Sequence, residues 1–142
     1  MVGYRSAEYW NAVALRNEIL RWPLGLELTE DDLDQERDET FFVAAFGDRV
    51  VGCLQLTAPI GLETQMRQVA VAKDIQRGGM GTLLVQAAET YARSLNLVKI
   101  VLHARELAVP FYRRLRYDTE GSSFMEVGVP HYRMFKMLKE TI

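Results

Sequence analysis

The segment Gln76-Arg77-Gly78-Gly79-Met80-Gly81 constrains this chain more than any other. Before it lies Gln65 to Ala72, which reads as a strand and contains Val69-Ala70-Val71. After it, Met80, Leu83, Leu84, Ala87, Ala88, Tyr91 and Leu95 recur at the spacing of one helical face, predicting a helix from Met80 to Leu95. A strand, a glycine-rich loop and a long helix in succession imply an α/β arrangement. Glycines let the backbone approach a ligand closely and adopt conformations that other residues resist. The first amides of a helix have no intrahelical partners, and the helix dipole adds positive potential there. A pyrophosphate suits such a place. No Gly-Lys-Ser/Thr closes the loop, so it is not a P-loop, and it lacks the Gly-x-Gly-x-x-Gly spacing of a dinucleotide fold. Taken alone, the glycines fit a plain tight turn equally well.

The rest of the chain supplies the other elements. Ser6 can cap a helix running to about Leu20, stopped by Trp22-Pro23-Leu24-Gly25. Thr29 begins a second, short helix, and the acidic run Glu30 to Glu39 reads as a solvated helix face. Thr40 to Phe46 and Arg49 to Thr57 read as strands joined by the hairpin signal Gly47-Asp48. Val98 to Leu102 is a short buried strand, Pro110 to Leu115 a short helix, and Tyr117 to Ser123 and Tyr132 to Leu138 two closing strands. The expected fold class is α/β, a mixed, mostly antiparallel twisted sheet flanked by helices, in a single domain over residues 1–142.

Composition narrows the function classes. The net charge of -2 is spread along the chain, which gives a nucleic-acid partner no electrostatic support. The lone cysteine, Cys53, excludes an internal disulfide and a cysteine-rich zinc site, and its apolar surroundings predict a buried free thiol. No metal is expected. The sequence shows no run of signal-peptide character and none long enough to span a bilayer, so a cytoplasmic setting without membrane contact is the expectation.

Two stretches carry a family resemblance. Gln76-x-x-Gly79-x-Gly81, after Val69-Ala70-Val71 and before an amphipathic helix, resembles the acetyl-CoA signature of the GNAT N-acetyltransferases. Ala108-x-x-Phe111-Tyr112-x-x-Leu115-x-Tyr117 resembles their second signature, at the proper distance. The resemblance implies a GNAT-type sheet and acetyl-CoA as acyl donor. It implies that backbone amides of Arg77, Gly78, Gly79, Met80, Gly81 and Thr82, next to Gln76, cradle the pyrophosphate. It implies further that the backbone of Val69, Ala70 and Val71 pairs with the pantetheine arm like an added strand. One departure is Arg116, which stands where such proteins usually have glycine and could alter the turn.

Acetyl transfer to an amine needs a base for the amine, a donor for the oxyanion and an acid for the thiolate. Tyr112 resembles the family's tyrosine that protonates the departing sulfur. His131, in Gly128-Val129-Pro130-His131, resembles the base of a subgroup that includes the glyphosate N-acetyltransferases, placed here in a loop entering the last strand. Glu126 is the alternative base, and His103 reads as structural. Arg21, Arg67 and Arg105 match the subgroup's arginines, which implies a small anionic acceptor, because a guanidinium fork suits carboxylate or phosphate. The Trp22 to Glu27 loop and the Phe124 to Val127 segment do not follow the glyphosate enzymes closely, which leaves the acceptor's identity open. The expected function is therefore N-acetylation of a small-molecule primary amine, with a homodimer a mild expectation. A protein or peptide acetyltransferase and a non-catalytic CoA-sensing module are the alternatives.

Overall fold

The computed structural model describes residues 1–138. Helix α1 (Ala7–Arg16) begins where the Ser6 hydroxyl accepts the Tyr9 amide. Helical winding does not stop at Arg16. It widens into a π-helical turn, Asn17–Arg21, and tightens into a 3₁₀ turn, Trp22–Leu24. Gly25 then ends it with a φ of 72°, the left-handed conformation that glycine adopts at little cost. Helix α2 (Glu30–Asp34) opens on a capping box, in which the Thr29 and Asp32 side chains each accept the other's backbone amide.

Strands β1 (Thr40–Phe46) and β2 (Arg49–Leu56) form the expected hairpin. Then come β3 (Glu63–Val71), α3 (Met80–Ser94), β4 (Lys99–Arg105), α4 (Val109–Arg114), β5 (Asp118–Glu126) and β6 (Val129–Met137). The strand order is β1-β2-β3-β4-β6-β5. β3 and β4 run parallel, with α3 in the crossover between them, while β1–β2, β4–β6 and β5–β6 are antiparallel. The sheet is thus mixed and mostly antiparallel, as expected. No helix among the described residues is long and apolar enough to cross a membrane.

Three strands reach further than the sequence suggests, β5 among them, since it runs through Phe124 to Glu126. β4 continues through His103 to Arg105, and β6 starts at Val129. His131 therefore lies within a ladder, opposite Arg105 on one side and Phe124 on the other, and not in a loop. The turn between β5 and β6 is only Val127-Gly128, both with positive φ (46° and 80°), which suits the twist of a two-residue hairpin. Pro130 is accommodated because it is only the second residue of its strand.

The chain divides into two compact units: Met1–Ala58 with Arg67–Ala88, and Pro59–Met66 with the chain from Glu89 onward. In the first, Tyr9, Val13, Leu33 and Phe41 form one buried cluster, and Ala12, Leu15, Val50, Val51, Cys53, Ala70 and Ala72 another. Cys53 is buried, as its neighbours predicted. Gly52 lets α3 close on β2: a Cβ there would sit 2.7 Å from Leu84 Cδ1. The reading of Glu30 to Glu39 as a solvated face fails at Glu36, which is 1% exposed. Its carboxylate accepts Arg16 Nη1 and Nη2 at 2.7 and 2.8 Å, Tyr9 Oη at 2.6 Å and Gln55 Nε2 at 2.9 Å. Burial opposes ionisation of Glu36, but these donors outweigh it and hold the carboxyl below the usual range.

In the second unit Ile100, Leu102, Ala104 and Met134 are buried, and Glu89 accepts from Tyr117 Oη at 2.8 Å and Lys136 Nζ at 3.0 Å. Arg116 does not alter the turn after α4. It takes the glycine conformation itself, with φ 73°, while the Tyr117 amide closes on the Tyr112 carbonyl at 3.0 Å.

Candidate active site

In the first unit the glycine-rich loop is folded by its own backbone. The Ile75 and Gln76 amides return to the Ala72 carbonyl, and Gln76 Nε2 donates to the Val71 carbonyl at 2.9 Å. Arg77 and Gly79 have φ of 73° and 84°, and the Leu83 amide donates to the Gly79 carbonyl. Gly79 thus precedes the first helical residue, and the amides of Met80, Gly81 and Thr82 have no carbonyl four residues back in the helix. No acidic residue stands in that first turn. The arrangement can receive an anion. One expected donor is already committed, since the Gly78 amide donates to the Ile75 carbonyl at 3.2 Å.

Immediately before Val69-Ala70-Val71, Gln68 has a φ of 55° within β3. A non-glycine residue in the left-handed region inside a strand is strained, and such strain clusters at functional positions. Nothing in the local sequence signals it, because glutamine is not a residue that favours positive φ. Arg21 Nη2 donates to Gln68 Oε1 at 3.4 Å, so the structure brings these two together. Arg67, the neighbouring residue on β3, is paired through Nη1 with Glu39 at 2.6 Å. Glu39 in turn accepts from Gln55 at 3.0 Å.

The second unit holds the two histidines, Glu126, Arg105 and Tyr112. The His131 side chain is 5% exposed, and its Nδ1 lies 2.9 Å from the Val129 carbonyl. A carbonyl can only accept, so Nδ1 carries the proton in the neutral ring and Nε2 keeps its lone pair. Nε2 faces Glu126 Oε2 at 3.6 Å. The other carboxylate oxygen, Oε1, lies 3.0 Å from His103 Nδ1, so His103 is a partner of Glu126. The Phe124 ring meets His103 edge-on at 5.0 Å and stacks on His131 at 6.1 Å. Arg105, the last residue of β4, is opposite His131 in the ladder; burial pulls its pKa down, and Glu126 opposes that. The sequence does not show this clustering, because His103 lies 23 residues before Glu126 and the contact of Glu126 with His131 depends on the β5–β6 register.

Tyr112 is buried on α4 against Phe111 and Tyr117. Burial alone pushes its phenol well above the ordinary tyrosine value. Burial thus keeps the proton on the phenol and also makes it a weaker acid.

Against this geometry, comparisons with known proteins place the chain. Residues 9–117 match the model of the Acetyltransferase (GNAT) family. The chain is 28% identical over 83 residues to the uncharacterized protein YyaT of Bacillus subtilis, covering 58% of this chain and 56% of that one. It is 28% identical over 97 residues to an uncharacterized acetyltransferase of Streptococcus pyogenes, encoded in the arcA 3′ region, covering 68% and 66%. The matches therefore span about 56–66% of these relatives' own length. A solved aminoglycoside 6′-N-acetyltransferase complexed with coenzyme A shares the fold, with a TM-score of 0.76, 16% identity and coverage of 93% and 91%.

Proposed function

Because the chain belongs to the Acetyltransferase (GNAT) family, we propose that it transfers an acetyl group from acetyl-CoA to a primary amine of a small, anionic acceptor. The observation that carries this is the 2.9 Å contact of His131 Nδ1 with the Val129 carbonyl. With Nδ1–H committed to the Val129 carbonyl, Nε2 is the basic nitrogen, in a ring held almost out of water.

In the proposed step His131 Nε2 takes one proton from the acceptor's ammonium, and the neutral amine then forms the C–N bond at the acetyl carbon. The C–S bond breaks, and the Tyr112 hydroxyl gives its proton to the departing thiolate. The adduct's surplus N–H proton returns to the Tyr112 oxygen once that hydroxyl has protonated the sulfur. The amides of Arg77 and Gly79 to Thr82 take the pyrophosphate, and Val69 to Val71 take the pantetheine arm. That coenzyme A is bound by the aminoglycoside 6′-N-acetyltransferase of the same fold supports this assignment.

The acceptor's anionic group is assigned to Arg21, Arg67 and Arg105. The Gly-x-Pro-His run and these arginines support a place near the glyphosate N-acetyltransferases. Arg67 is ion-paired with Glu39 at 2.6 Å. Calorimetry with acetyl-CoA tests the donor site. Binding is expected in the parent and is weakened in Gly79→Asp, whose carboxylate would meet the pyrophosphate. Paired acceptors with and without a carboxylate or phosphate test the other half. An enzyme that prefers neutral or cationic amines would overturn the anionic assignment.

A further inference from the structure

With the His131 ring neutral, two acceptors face one another in the second unit. His131 Nε2 carries a lone pair, because Nδ1 holds the ring proton against the Val129 carbonyl. Glu126 Oε2 stands 3.6 Å away and can only accept. Two facing acceptors repel unless a donor joins them. Glu126 cannot simply turn toward another partner, since Oε1 is held at 3.0 Å from His103 Nδ1. Its side chain is 43% exposed, so the place can be entered from solvent. Phe124 stacks on His131 and lies edge-on to His103, fixing both rings.

Building on the acetyl-transfer function above, we propose that Glu126 Oε2 and His131 Nε2 form the seat of the acceptor's ammonium group. An ammonium nitrogen about 2.8–3.0 Å from each atom makes a triangle on the 3.6 Å base, with one N–H directed to each acceptor. Glu126 then receives the cation in the form in which an amine exists in neutral water. His131 Nε2, already bonded to the same nitrogen, takes the proton that must leave before attack. Glu126 is in this account an acceptor-binding residue, distinct from an alternative base. Arg105, directly opposite His131 in the β4–β6 ladder, stands on the same face of the sheet.

The test uses methylammonium as the probe and needs no turnover. At fixed pH, NMR of the histidine ring protons should show a saturable change at His131 in the parent protein. The change should be lost in Glu126→Gln, which keeps the shape but not the charge, and largely kept in Glu126→Asp. Tetramethylammonium, a cation with no N–H, should leave His131 unmoved. No saturable change with methylammonium, or an equal change in Glu126→Gln, would overturn the seat even if the protein acetylates amines. Kinetics on any amine the enzyme accepts gives the second readout. Glu126→Gln should raise the acceptor KM tenfold or more, as expected for loss of one charge-assisted hydrogen bond, with a smaller change in kcat. A fall in kcat at unchanged KM would mean that Glu126 merely orients His131.

Discussion

Two carboxylates, Glu36 in one unit and Glu126 in the other, are handled in opposite ways. Glu36 is 1% exposed and receives four hydrogen bonds, from Arg16 twice, Tyr9 and Gln55. Glu126 has a side chain 43% exposed, with one oxygen on His103 and the other facing a lone pair of His131. The first arrangement is closed around the carboxylate, although Arg16 Nε in the same cluster is buried without a hydrogen-bond partner. Every lone pair that matters is matched, and the energy goes into holding α1, the chain after α2 and β2 together. The second is open to solvent at Glu126, and it is the place where the proposed function has a proton received.

Substitutions on either side test that contrast. The largest effect is expected on the open side: His131→Ala should lower turnover by roughly 10²–10⁴-fold, the usual contribution of a general base. Acetyl-CoA affinity, read by calorimetry, should not change. Nearly full activity in this variant would move the base elsewhere.

On the closed side the effect should appear in stability. Arg16→Met alone or Glu36→Gln alone should each cost about 3–5 kcal/mol, since each strands a buried partner. Urea unfolding measures this, and the double variant Arg16→Met with Glu36→Leu should recover much of the loss. The pH dependence has a definite sign. The Glu36 carboxyl is held below its unfolded value, so its contribution is complete above the ordinary carboxylate range and fades as pH falls through the lowered value. The parent's acid limb should therefore flatten in Glu36→Gln. An unchanged acid limb would contradict the pairing.

Smaller effects follow from single residues. Arg116→Gly should stabilise the protein by about 1 kcal/mol, because arginine there holds φ 73° without glycine's freedom. A loss of stability on thermal unfolding would show that the Arg116 side chain contributes more than its backbone costs. Cys53 should resist a thiol reagent at neutral pH in the native state, since burial pushes its thiol up to about 12, with Arg16 opposing. Rapid labelling would show that the core around it opens.

What could be read in the sequence was local. The Ser6 and Thr29 caps, the hairpin at Gly47-Asp48 and the start of α3 all follow from short-range chemistry, and the structure has them. The ends of β4 and β6 were misjudged because Gly128 and Pro130 look like loop residues. Ladder pairing with Arg105 and Phe124 overrides that preference. Glu36 could not be told from its acidic neighbours, because its partners Arg16 and Gln55 lie 20 and 19 positions away. The positive φ at Gln68 and Arg116 leaves no trace in residue type. In the site, His131 and Tyr112 were named from motifs, whereas the His103–Glu126–His131 contacts depend on strand register, which no motif encodes.

The most direct measurement of the central claim is mass spectrometry of small amines, each carrying a carboxylate or phosphate, after incubation with acetyl-CoA and the protein. Free thiol is followed in the same tube. The account predicts that at least one amine gains a single acetyl group in step with thiol release, and that His131→Ala suppresses both while still binding acetyl-CoA. Thiol release with no acetylated amine, or equal product from His131→Ala, would contradict it.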